Sequence, residues 1–107
     1  MTKRVLGEVE LLILMAILHL GQKAYGMAIA EEIEKRTGRK VSRAAVYVAL
    51  KRLEEKDFVE TYLESPPSGG KPRRYARVLP QGLQLAKASL DTLTSMASGL
   101  EPMLEEG

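Results

Sequence analysis

The sequence has no cysteine and no tryptophan, and it holds one phenylalanine and one histidine in 107 residues. Without cysteine there is neither a disulfide framework nor a thiolate zinc site, and a reducing cytoplasm is the expected setting. Phe, Tyr and Trp together make up only 5%, so Leu, Ile, Val, Ala and Met have to build the core. His19 follows an apolar run and reads as a helix-end or core residue, because no cluster of His, Cys and carboxylates accompanies it to hold a metal. Long hydrophobic runs are also missing. The longest, Leu11 to Leu18, falls short of the roughly 20 residues that a membrane span needs. Met1-Thr2-Lys3-Arg4 resembles the positive start of a signal peptide, yet Glu8 and Glu10 interrupt it and no small-residue cleavage site follows, so the run reads as a buried helix.

Groups for catalysis are equally scarce. Glu31-Glu32 and Glu54-Glu55 are sequence neighbours, which diverge around a helix instead of meeting in one site. Ser42 and Ser68 have basic surroundings but no nearby base to activate them. The stretch SGGKP fails as a phosphate-binding Walker loop, since Ser65 stands where its first glycine belongs and Pro72 where it needs Ser or Thr. The expectation is a protein that is not an enzyme and uses no cofactor or metal.

What is present is 45% apolar and 28% charged, the balance of one soluble globular domain with a modest core. The net charge of +2 conceals a strong asymmetry. From Lys35 to Arg52 lie seven basic residues (Lys35, Arg36, Arg39, Lys40, Arg43, Lys51 and Arg52) and no acidic one. Lys71, Arg73, Arg74 and Arg77 form a second run without an acidic residue, while the C-terminal end carries Glu101, Glu105 and Glu106. Charge runs are commonly just solvated surface, but two separate ones suggest a side that binds a polyanion.

The hydrophobic pattern predicts helix from Val5 to Leu20, closed by Gly21, and a second helix from Tyr25-Gly26 to Gly38 with Met27, Ile29, Ala30 and Ile33 as its apolar stripe. A third follows within residues 41–56, with Ser42 as N-cap. After Lys56-Asp57 the period becomes two: FVETYLE and RRYARVL read as strands joined by the turn SPPSGGKP. Pro80-Gln81-Gly82 opens a fourth helix that runs to about Ser98, where Gly99 and Pro102 end or fray it. Three helices, a hairpin and a helix form a winged helix-turn-helix, mainly α with a small β-hairpin as the wing. Residues 1–80 would be the DNA-binding domain and 81–107 a C-terminal dimerisation helix and tail.

On a helical wheel, Val46, Ala49, Leu50 and Leu53 share the core face of the third helix. Its other side is also partly apolar, with Ala44, Tyr47, Val48 and Lys51 flanked by Ala45 and Arg52. Such a face suits a DNA major groove. Small side chains let the backbone approach base edges, and Ala or Val methyls can touch thymine methyls. Ser42, Arg43, Tyr47, Lys51 and Arg52 could reach phosphates, and Arg43, near the helix N-terminus, is also a candidate for bidentate contact with guanine. On the wing, Lys71, Arg73 and Arg74 supply charge for phosphates or a minor groove. The competing reading is a winged-helix protein-interaction module without DNA binding, whose apolar face would meet a partner protein.

The fourth helix carries Leu83, Ala86, Leu90, Leu93, Ala97, Leu100 and Leu104 at alternating spacings of 3 and 4, a heptad seam that fits either the chain's own core or a second copy. The first helix is apolar on all sides, including Leu12, and one small domain covers only one of them, which favours a homodimer.

These residues resemble the PadR-like family of transcriptional regulators over about residues 6–98. YGMAIAEEIEKRTG is similar to the family's Tyr-Gly second helix, SRAAVYVALKRLEEKDFVE to its most specific segment, and GGKPRRYARVLPQG to its wing. The resemblance implies a dimeric winged-helix repressor of the smaller size class, joined through its last helix, acting on a pseudo-palindromic double-stranded operator and often released by a small-molecule effector. The sequence departs from the family pattern at Ala45-Val46, where Thr-Leu is usual, at Asp57-Phe58, where Gly-Leu is usual, and at Ala76, often aromatic. The lack of tryptophan also removes one means of stacking on a planar effector.

Overall fold

The computed structural model describes residues 6–106. Val5, where the pattern predicts the first helix to begin, lies outside the described residues, as do Met1–Arg4 and Gly107. The elements are α1 (Glu8–Leu20), α2 (Gly26–Thr37), α3 (Arg43–Glu55), β1 (Val59–Glu64), β2 (Arg73–Val78), α4 (Pro80–Ala97) and α5 (Glu101–Glu106), with a single 3-10 turn at Gly21–Lys23.

The helix ends follow from local chemistry. At α1 the Glu10 carboxylate accepts the N–H of Gly7 at 3.1 Å, which caps the helix so that it starts at Glu8. α2 stops at Gly38, whose φ of 77° puts it in the left-handed region while its N–H donates to the Glu34 carbonyl. α3 begins at Ser42, whose hydroxyl oxygen accepts the N–H of Ala45 at 3.0 Å. Its exit is a Schellman turn: the Phe58 N–H donates to the Leu53 carbonyl (2.9 Å) and the Asp57 N–H to that of Glu54 (3.0 Å). Asp57 holds the left-handed position there with φ 62°.

β1 and β2 pair antiparallel from Val59 opposite Val78 to Glu64 opposite Arg73. Phe58 is buried just before the ladder. The linker between α1 and α2 joins the hairpin's edge: the Ala76 N–H donates to the Ala24 carbonyl at 2.8 Å, and Tyr25 bridges to Tyr75. Tyr75 is buried between Tyr25, edge-on at 5.7 Å, and Tyr62, stacked at 5.8 Å.

The core fills the space between α1, α2, α3 and the hairpin. Ile13, Leu14, Ile29, Val46, Leu53 and Val59 are fully enclosed. On α1 the chain covers more than one side, burying Leu11, Ile13, Leu14, Ala16 and Ile17, because α2, α3, α4 and β2 all lie against it. Leu12 is half-buried and Leu18 exposed.

α4 enters beside the exit of α3, where the Leu79 N–H donates to the Phe58 carbonyl at 2.9 Å. Gly82 is buried at this crossing, and a Cβ there would lie 2.1 Å from the Phe58 carbonyl oxygen. Ala86 is buried in the chain's own core. From Asp91 to Glu106 every residue is exposed. The radius of gyration is 15.4 Å, against about 13 Å for a compact domain of this size. The protruding C-terminal segment accounts for the excess. One expectation needs correction here. Gly99, at φ 89°, does end α4, but Pro102 does not fray the chain; it occupies the first turn of α5, where a missing N–H costs nothing. Among the described residues no helix is long and apolar enough to cross a membrane, and no group of three or more metal-ligating side chains forms.

Candidate nucleic-acid interface

α3 is held by its buried side. Val46, Ala49, Leu50 and Leu53 face the core, as their spacing predicts. The remaining face is open: Val48 is 53% and Tyr47 44% exposed, and Arg43, Ala44, Ala45, Lys51 and Arg52 are all exposed. Ser42 is exposed too, with its oxygen engaged as the N-cap.

Two hollows flank this face. Arg43 and Tyr47 line a cleft together with Tyr25, Met27, Pro72 and the wing residues Arg73 and Arg74. On the other flank, Ala45, Val48 and Arg52 border a hollow against Gly7, Val9 and Arg39. The fold therefore brings α3 and the wing, some 30 residues apart in sequence, to one side of the molecule. Lys71 is exposed on the wing tip.

The structure sorts the cations that the sequence leaves in one class. Arg36 is hydrogen-bonded to Glu32, one turn earlier on α2, and that bond holds the Glu32 carboxyl below its usual range. Arg39 pairs with Glu8 at the start of α1. Arg77 is bonded to Glu60, its cross-strand partner, which raises the guanidinium above its ordinary value. Lys56 lies 3.7 Å from Glu10. So Arg77, unopposed in the linear sequence, is opposed across the hairpin. Among the described residues Arg43, Lys51, Arg52, Lys71, Arg73 and Arg74 have no acidic partner within ion-pair distance. Together with Lys35 and Lys40, they carry the charge of the basic runs that no ion pair among the described residues compensates.

Arg73 and Arg74 point to opposite faces of β2, and each is supported. The Arg73 guanidinium sits over the Tyr25 ring at 4.3 Å from its centroid, a stacking that fixes the side chain without cancelling its charge. Arg74 donates from Nη1 to the Thr61 hydroxyl at 3.1 Å. Tyr47 is seated on the first turn of α2, where a Cβ on Gly26 would come within 3.0 Å of its ring. The sequence reading missed Tyr25, Met27, Gly26 and Thr61 as neighbours of the site. The Tyr25-Gly26 pair was a visible signal for the first three, but Thr61 is recognisable only from the strand register.

The seam residues divide. Leu83 is 52%, Leu90 50% and Leu93 57% exposed, and Ala97, Leu100 and Leu104 are exposed as well, whereas Ala86 turns into the chain's own core. Met96 and Met103 extend the exposed apolar surface.

Comparison with known proteins places this geometry. The model of the transcriptional regulator PadR-like family matches residues 13–88. An uncharacterised protein of Lysinibacillus sphaericus is 35% identical over 89 residues, which are 81% of this chain and 75% of that one. A PadR family transcription regulator from Clostridium difficile R20291 has the same fold, with a TM-score of 0.77 at 24% identity over 92% of this chain and 99% of that one. A PadR-like transcriptional regulator from Bacillus cereus gives 0.73 at 23% identity, with 92% of each chain covered.

Proposed function

The chain belongs to the PadR-like family of transcriptional regulators, a family of regulators and not of enzymes, and from that premise we propose that it is a dimeric, sequence-specific repressor acting on double-stranded DNA in the cytoplasm. The observation that carries the reading is the shared cleft. Arg43 and Tyr47 of α3 and Arg73 and Arg74 of the wing line one opening, beside an exposed face of small apolar side chains, and none of these arginines has an acidic partner among the described residues.

In this reading the N-terminal half of α3 enters the major groove. Ala44 and Val48 meet base edges, Arg43 reads a guanine or a phosphate, and Ser42, Tyr47, Lys51 and Arg52 fix the register on the backbone. Lys71, Arg73 and Arg74 carry the wing along the phosphates. Dimerisation uses Leu83, Leu90, Leu93 and Ala97 of the protruding α4, meeting Leu12 and the open side of α1 on a second copy. Ala86 supports the helix from the inside. Two copies of α3 would then enter grooves roughly 34 Å apart, so the operator is a pseudo-palindrome. Release by a small-molecule effector completes the proposal. A cavity of about 570 Å³ beside Ile17, Leu18, Tyr62 and Arg77 has the size of a small-ligand site.

Selection of genomic fragments on the purified protein tests this reading. It should enrich one motif with two inverted half-sites a helical turn apart. Fragments with no common motif would reject sequence specificity, and a motif with a single half-site would reject the symmetric dimer. Alanine at Lys51, Arg52, Arg73 or Arg74 should each flatten the dependence of binding on salt by about one unit of slope; an unchanged slope for all four would remove them from the contact set.

A further inference from the structure

Arg74 differs from the other cations of the cleft in being held from behind by polar groups. Glu54, in the last turn of α3, accepts at one carboxylate oxygen, Oε2, both the backbone N–H of Thr61 (3.3 Å) and the Thr61 hydroxyl (2.8 Å). The same hydroxyl oxygen accepts from Arg74 Nη1 at 3.1 Å. The strand register makes this possible: Thr61 stands opposite Ala76, so Arg74 is its diagonal neighbour on the same face of the hairpin. Three residues thereby tie the recognition helix to both strands of the wing.

The chemistry of the middle residue decides what this arrangement does. A threonine hydroxyl has one proton and two lone pairs. The proton goes to the Glu54 carboxylate, which leaves lone-pair density for the guanidinium. Arg74 uses one of its five N–H groups in this way, and the others stay free for the cleft it shares with Arg43 and Tyr47. Arg77 shows the alternative, since its guanidinium is bonded directly to Glu60 and its charge is matched there. With threonine as a spacer, Arg74 is oriented by an acidic residue without being ion-paired to it. A long side chain ordered before contact loses less conformational freedom when it meets a phosphate.

We propose that Glu54 and Thr61 are positioning residues for DNA binding, holding Arg74 in the orientation in which it meets the backbone and fixing the wing relative to α3. The proposal rests on the DNA-binding reading above. The test is a thermodynamic cycle on the full chain, using wild type, T61V, T61S, R74A and T61V/R74A. Each is titrated against a fluorescent duplex selected by the wild-type protein, at several salt concentrations, with a thermal melt of each variant. R74A should weaken binding about tenfold and lower the salt slope by about one. T61V should weaken it several-fold, T61S should restore it, and T61V should have no effect once Arg74 is gone. Binding by T61V equal to wild type, an equal loss from T61V in both backgrounds, or R74A without effect each overturns the relay. Because the cycle compares T61V with and without Arg74, a general loss of stability appears in both arms and counts against the proposal. Wild-type protein that binds no duplex overturns the underlying reading as well, whereas tight wild-type binding with T61V unaffected overturns the relay alone.

Discussion

Replacing Gly82 with alanine sets two effects of opposite sign against each other. Gly82 lies in the first turn of α4, and alanine is favoured over glycine in a helix by at most about 1 kcal/mol. On propensity alone the substitution stabilises. The new Cβ, however, would lie 2.1 Å from the Phe58 carbonyl oxygen, 3.0 Å from the Phe58 carbonyl carbon and 3.0 Å from Val78 Cγ1. Carbon and oxygen approach comfortably only to about 3.3 Å, so the helix and the exit of α3 would have to separate by about 1 Å. The obstacle is backbone and not a mobile side-chain tip. The separation strains the bond from the Leu79 N–H to the Phe58 carbonyl, now 2.9 Å, and overpacks a buried crossing. Overpacking of this kind costs about 1–3 kcal/mol, and a weakened buried hydrogen bond adds about 1 kcal/mol or more. The clash wins, with a net destabilisation of about 1–3 kcal/mol. For a chain of this size that is a fall in Tm on the order of 10 °C. Urea unfolding followed by circular dichroism, at a fixed protomer concentration, measures it directly. A Gly82→Ala variant as stable as wild type, or more so, would refute the placement of α4 against the α3–β1 turn.

The other glycine in close contact has the opposite expectation. Gly26→Ala crowds only the Tyr47 ring, at 3.0 Å, which can swing aside, so the melting temperature should stay within a few degrees while affinity for the selected duplex falls; unchanged affinity would remove Tyr47 from the contact set. Asp57→Gly should stabilise the fold by about 0.5–1 kcal/mol, because a residue with a side chain now holds the left-handed position (φ 62°) of the Schellman turn, and urea unfolding that shows no gain counts against that turn. Leu90→Lys combined with Leu93→Lys places charge on exposed seam positions and should yield monomers by sedimentation with helix content retained; a persistent dimer would move the interface elsewhere.

Much of the architecture was legible in the sequence because it is set by local chemistry. Ser42 marks the start of α3, Gly38 the end of α2, and the apolar period of Val46, Ala49, Leu50 and Leu53 fixes which side of α3 is buried. The change of period after Asp57 marks the hairpin. What was not legible depends on residues meeting across the fold. Arg77 read as uncompensated until the register set it opposite Glu60, and Arg39 until α1 brought Glu8 beside it. The heptad spacing of α4 is identical for positions that face the chain's own core and positions that face outward. Only packing separates Ala86 from Leu90 and Leu93. α5 was hidden because Gly99 and Pro102 both signal a helix end, whereas Pro102 sits in the first turn of a new helix. Thr61 carries no signal of its own within a strand.

The central claim is that the open face of α3 and the wing bind the DNA backbone through cations that have no acidic partner in the protein. Its most direct test is a titration of a fluorescent duplex with the full chain across a range of salt concentrations. The account predicts that log K falls linearly with log salt, with a slope of magnitude about 4 or more for a surface that engages several phosphates. Undetectable binding at low salt, or an affinity that barely changes with salt, would contradict it.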